Sequence, residues 1–112
     1  MEKKNIKEII DTIIKIIDVD KIYIFGSYAK NKARADSDID MYIIVKRAET
    51  INTRKKYNNV ISIVRENLFN NNIYPKGGLD LLLNDNEDFN SKKKQNGFLE
   101  YIIAKEGVLI YG

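Results

Sequence analysis

Residues 22–27 read Ile22-Tyr23-Ile24-Phe25-Gly26-Ser27, and after ten further residues the chain continues Asp38-Ile39-Asp40-Met41-Tyr42-Ile43-Ile44-Val45. The first stretch is a β-branched and aromatic run halted by a glycine, the pattern of a short buried strand that ends in a turn at Gly26-Ser27. In the second, Ile39, Met41, Ile43 and Val45 share one face of a strand, while Asp38 and Asp40 take the other. Bringing Gly26-Ser27 to Asp38 makes the two strands antiparallel. Residues two apart in a strand stand ~7 Å apart on one face, so both carboxylates can converge on one cation, and two hard anionic ligands on a rigid strand suit Mg²⁺. An isolated Asp-x-Asp is more often the solvent-facing start of a strand, so the surrounding sequence has to decide.

Upstream, Ile6, Ile9, Ile10, Ile13, Ile14 and Ile17 recur at helical spacing among Lys and acidic residues, which predicts an amphipathic helix over about residues 3–18. Residues 28–34 are expected to form a short helix and residues 33–37 a loop. Tyr57, Val60, Ile61, Val64 and Leu68 repeat the 3.6-residue period and predict a second long helix over about 51–70, ended by Asn70-Asn71-Asn72. Pro75, Gly77 and Gly78 mark a loop, after which Leu79-Asp80-Leu81-Leu82-Leu83 reads as a third, mostly buried strand. Residues 84–96 carry little pattern. Phe98, Leu99, Ile102 and Ile103 predict a last helix ending at Gly107, and Val108 to Tyr111 a short edge strand. The resulting order, α-β-α-β-α-β-α, belongs to a single α/β domain over residues 1–112, a small mixed sheet packed with helices.

The 112 residues, 44% hydrophobic and 31% charged, suit one small soluble domain. His, Cys and Trp are absent, which excludes disulfides, thiol nucleophiles, Ser-His-Asp relays and Cys/His zinc sites. Chemistry must run on carboxylates, hydroxyls, Lys or Arg. A net charge of +3, from 19 basic and 16 acidic residues, is too slight to imply nucleic acid as a partner. Lys92-Lys93-Lys94 reads as solvated surface. No apolar run follows Lys3 and Lys4, and none approaches the ~18 residues of a membrane span, so a cytoplasmic location without a signal peptide is expected.

Asp80 is out of place in an apolar run, because an ionised carboxylate in a buried strand costs several kcal/mol unless a cation or hydrogen bonds compensate it. The helix over 51–70 crosses to a third strand parallel to the second, which brings Asp80 level with Asp38 and Asp40 and puts three carboxylates on one face. A calcium loop is the rival reading of Asp36, Asp38 and Asp40. Met41 at that loop's glycine position and Arg47 at its twelfth position set it aside. The Gly26-Ser27 turn, with free backbone N–H groups, a hydroxyl and a helix start behind it, is a usable cradle for phosphate oxygens.

Together, Gly26-Ser27-Tyr28-Ala29-Lys30-Asn31, Ser37-Asp38-Ile39-Asp40 and Leu79-Asp80-Leu81 resemble the signature of the DNA polymerase β-like nucleotidyltransferases, most closely the minimal nucleotidyltransferases. The leading amphipathic helix and the closing Glu106-Gly107-Val108-Leu109-Ile110-Tyr111 are similar to that family as well. Lys30 stands where the family usually has Arg, and Asn31 where it usually has Gly. The resemblance implies Mg²⁺-dependent transfer of a nucleotidyl group from an NTP such as ATP to a hydroxyl. Asp38 and Asp40 would hold two Mg²⁺ ions, Asp80 would complete the acceptor side, Gly26 and Ser27 would hold the β- and γ-phosphates, and Ser37 and Lys30 would assist. With no room for an acceptor domain, the expected acceptor is small or arrives on another protein. The resemblance points first to the antitoxin half of MNT-HEPN pairs, which transfers AMP to a tyrosine of the HEPN-domain toxin. A non-catalytic module that neutralises its partner by contact and an aminoglycoside-type transferase are the alternatives.

Overall fold

The computed structural model describes residues 3–27, 29–30, 37–46 and 53–112. Along the chain these form α1 (Lys3–Ile16), β1 (Val19–Phe25), β2 (Ile39–Val45), α2 (Thr53–Asn70), β3 (Leu79–Asp85), α3 (Asn86–Lys92), α4 (Leu99–Glu106) and β4 (Val108–Tyr111). The four strands make one mixed sheet in the order β3-β2-β1-β4. β1 runs antiparallel to both β2 and β4, and α2 carries the chain over so that β3 lies parallel to β2. This is the expected small α/β domain, with β4 as the edge strand foreseen after Gly107.

The helices cover both faces of the sheet. Ile9 and Ile13 of α1 and Val64 and Leu68 of α2 pack against Ile22, Ile24, Ile39, Met41, Ile43, Leu79 and Leu81. On the opposite face Phe89 of α3 and Ile103 of α4 cover Tyr42 and Ile44, flanked by Tyr23, Phe25 and Leu82. Residues 41–45 are therefore buried without alternation. The expected polar face of β2 shrinks to its first residues, because a central strand covered on both sides has no solvent face.

Residues 84–96, expected to be featureless, contain α3. Asp85 caps it by accepting from the Asp88 N–H at 2.7 Å, and Phe89 is its buried anchor. One anchor in seven residues leaves no periodicity to read. β1 starts at Val19 rather than Ile22 and β3 continues to Asp85 rather than Leu83. The short helix expected over 28–34 falls mostly outside the described residues; Ala29 and Lys30 lie in a turn, and the Lys30 N–H donates to the Gly26 carbonyl at 3.3 Å. Among the described residues no helix is long and apolar enough to cross a membrane.

Candidate active site

Three strands contribute to one end of the sheet. Phe25, the last residue of β1, stands opposite Asp40, and Asp40 stands level with Asp80 of β3. The Gly26-Ser27 turn, Asp40 and Asp80 thus form a row across β1, β2 and β3, with Asp38 two residues before Asp40 at the entry to β2. Antiparallel pairing puts the end of β1 beside the start of β2. Parallel pairing puts the start of β3 there too.

Gly26 shapes the row. Its φ is +72°, and a Cβ built on it would lie 2.5 Å from Asp40 Oδ2, so the turn passes close against the carboxylate and any side chain there would be strained and would displace that oxygen. On the other side of β2 the Ile39 N–H donates to the Gly78 carbonyl at 3.0 Å, and a Cβ on Gly78, at φ +97°, would touch Asp38 Cβ at 3.9 Å. Gly78 was foreseen only as a loop residue; it also seats the start of β3 against Asp38.

The three carboxylates differ in setting. Asp38 and Asp80 are exposed and Asp40 is half-buried. Exposure of Asp80 overturns the expectation of a buried acid. β3 is the edge strand, and the α3 and α4 layer covers Tyr42 and Leu82, one step further along, leaving the acidic row open to water. Burial raises the Asp40 pKa first, and the charges of Asp38 and then Asp80 raise it further. The ion pairs among the described residues, Lys46 with Asp18 and Lys92 with Asp88, do not reach them. Among the described residues no three acidic side chains are drawn together as a ready metal-ligand set. The backbone register nonetheless sets Asp40 and Asp80 level on adjacent strands.

Ser27, half-buried, follows Gly26 on the same turn; Lys30 is exposed at the turn's far side; Ser37, half-buried, directly precedes Asp38. Ser27 and Ser37 therefore adjoin the row along the chain, whereas Lys30 lies three residues beyond Ser27.

The family of polymerase β nucleotidyltransferases matches over residues 5–112, almost the entire sequence. The chain belongs to that family. A protein of Methanocaldococcus jannaschii provisionally named a protein adenylyltransferase is 38% identical over 53 residues, 47% of this chain and 52% of the relative, so the match spans about half of that protein's length. The crystal structure of a provisionally assigned nucleotidyltransferase from Sulfolobus solfataricus shares the fold of this family member, with a TM-score of 0.60 at 21% identity over 95% of this chain and 76% of the other.

A second polar group escaped the sequence reading. The Tyr42 hydroxyl donates to Glu100 Oε2 at 2.5 Å, and Asn84 Nδ2 donates to Tyr42 Oη at 2.9 Å and to Asp88 Oδ2 at 2.7 Å. Burial and the bond to Glu100 push the Tyr42 pKa far up, which keeps the hydroxyl a donor. The signal was strand parity: Tyr42 and Asn84 share the faces of Asp40 and Asp80.

Proposed function

We propose that this chain transfers AMP from ATP to a hydroxyl group of a partner protein, with a tyrosine of a HEPN-domain toxin as the acceptor, and so acts as an antitoxin. The observation that carries the reading is the row formed by Gly26, Asp40 and Asp80, with Asp38 beside it, on three adjacent strands. The family supplies the reaction class, and the name of the Methanocaldococcus relative supports a protein acceptor. Burial of Asp80 was the expected argument against a contact-only module. With Asp80 exposed, the alignment of Asp40 with Asp80 beside the Gly26 turn takes its place, with burial first and then the charges of Asp38 and Asp80 raising the Asp40 pKa.

The donor chemistry fits Mg²⁺: three hard carboxylates, one of them with its charge disfavoured by burial and by the other two. Asp38 and Asp40 would hold the ion shared with the triphosphate, and Asp80 would complete the acceptor side. When bound, Mg²⁺ stabilises charge on the attacking and leaving oxygens of an in-line displacement. The acceptor hydroxyl oxygen forms a bond to the α-phosphorus while the bridging bond from that phosphorus to the β-phosphate oxygen breaks, and pyrophosphate leaves with the bonding electrons. The hydroxyl proton passes to Asp80 and on to water. The N–H groups of the Gly26-Ser27 turn and the Ser27 hydroxyl meet the charge that grows on the leaving pyrophosphate, and Lys30 and Ser37 stand at the flanks of that path.

Incubation of a cognate HEPN toxin with the chain, Mg²⁺ and ATP should add the mass of one adenylyl group per modified tyrosine, read by intact-protein mass spectrometry. Asp38→Ala/Asp40→Ala should add none. A partner that stays unmodified yet is inhibited equally without ATP refutes transfer and leaves neutralisation by contact.

A further inference from the structure

β3 is the outermost strand on its side of the sheet. The Gly78 carbonyl faces β2, where it accepts from the Ile39 N–H, so strand alternation turns the backbone groups of Leu79, Leu81 and Leu83 away from the sheet. At Leu79 the outward carbonyl is occupied, accepting from Arg65 Nη2 at 3.2 Å and from the Tyr74 hydroxyl at 3.5 Å. At Asp85 the N–H is occupied by Asn84 Oδ1 at 2.9 Å. Between these two capped ends, no described residue bonds to the outward N–H and C=O groups of Leu81 and Leu83. A cavity of about 660 Å³ runs beside them, lined by Leu81 to Leu83 and by Tyr57, Asp85 and Glu100.

The cavity has the chemistry of a peptide site. The Tyr57 hydroxyl is buried without a hydrogen-bond partner. Its own burial, with Asp85 and Asp88 nearby, raises its pKa and keeps it a donor in want of an acceptor such as a main-chain carbonyl. Lys92 pairs with Asp88 at 3.0 Å and feels Glu100 and Asp85 at longer range, so three acids share one lysine at this cavity and leave it negatively charged. A second copy of this edge would set the same acids against each other, whereas a basic segment neutralises them.

We propose that the β3 edge at Leu81 and Leu83 docks the acceptor protein as an added strand, an extended segment that carries a Lys or Arg for Asp85 and Glu100. Asp80 immediately precedes Leu81, so one end of that strand stands at the acidic row. Asp80 and Asp85 are five residues apart, which at ~3.3 Å per residue is about 16 Å and sets the basic residue about four to six positions from the reacting hydroxyl. The hydroxyl end rests on the transfer reading, but docking itself needs neither ATP nor Mg²⁺, so the two fail separately.

The probe is a positional-scanning library of fluorescein-labelled decapeptides with one fixed tyrosine, read by anisotropy with the full chain in nucleotide-free buffer. Pools with Lys or Arg four to six positions from the tyrosine should bind about tenfold tighter than pools with Glu there, the worth of one charge-assisted hydrogen bond. Asp85→Asn/Glu100→Gln, which keeps the α3 cap and an acceptor for Tyr42, should erase the preference. The best peptide should slow amide exchange at Leu81 and Leu83, and N-methylation of its alternate amides should abolish binding. No binding, binding indifferent to charge, or unchanged exchange at Leu81 and Leu83 overturns the proposal, even if adenylyl transfer is observed. Docking without transfer upholds it and counts against the transfer reading alone.

Discussion

Replacing Gly26 by alanine perturbs the site in two separable ways. Its φ of +72° disfavours any side chain by about 1–2 kcal/mol. With an unfolding entropy of about 2.1 cal/mol/K per residue, a 112-residue chain loses about 4 °C of Tm per kcal/mol, so strain alone lowers Tm by about 4–9 °C. The second effect is local. The new Cβ would sit 2.5 Å from Asp40 Oδ2, and because that oxygen is the end of a side chain it can swing away by roughly 0.5–1 Å at an off-rotamer cost of about 0.5–1.5 kcal/mol. A displacement of ~1 Å in a ligand to the reacting centre costs on the order of a hundredfold in rate. Gly26→Ala should therefore keep the fold, melt lower and lose most transfer activity. Gly26→Asn should melt higher than Gly26→Ala, because Asn tolerates the left-handed region, yet lose as much activity, because its Cβ meets the same oxygen. In an Asp40→Ala background the Tm penalty of Gly26→Ala should shrink by the off-rotamer part, a coupling that a double-mutant cycle measures. Differential scanning fluorimetry and calorimetric titration with Mg²⁺-ATP provide the readouts. A Gly26→Ala protein with the parent Tm and the parent binding isotherm refutes the close approach of turn and carboxylate.

Two further outcomes are expected. The Asp40 pKa is raised above its ordinary 3.8 in the folded state, so the native chain holds its proton longer than the unfolded chain, and stability falls as pH rises from the unfolded value through the raised one. Asp40→Asn should consequently be more stable than the parent at neutral pH in metal-free buffer, and the gain should fade as pH drops below about 4, where both forms are neutral; urea melts across that range that show no such convergence contradict the raised Asp40 pKa. Tyr42→Phe removes the hydroxyl shared by Glu100 and Asn84 and should cost about 1–3 kcal/mol in chemical denaturation, whereas an unchanged midpoint denies the network a structural role.

The alignment of Gly26, Asp38, Asp40 and Asp80 was legible because each step is local or topological. A β-branched run stopped by glycine ends a strand, an acidic start followed by apolar residues opens the next, and a helix of about 18 residues has the length to cross to a parallel partner, which fixes Asp80 against Asp40. Residues 84–96 were not legible, because a seven-residue helix held by one cap and one aromatic anchor repeats nothing. The network of Tyr42, Asn84 and Glu100 joins residues up to 58 positions apart, and no local pattern ties them together.

The one-dimensional pattern determined which segments are strands, how β1, β2 and β3 pair, and which residues meet at the end of the sheet, since periodicity, turn chemistry and crossover length act through neighbours along the chain. Tertiary structure alone decided what each of those residues experiences. Asp80 is solvated because β3 lies at the edge and the α3 and α4 layer stops one step short of it. Asp40 is perturbed because the Gly26 turn and two other charges crowd it, and β2 is apolar on both faces because helices cover both. Burial and electrostatic field depend on what packs from distant parts of the chain, and that is settled only when the layers close.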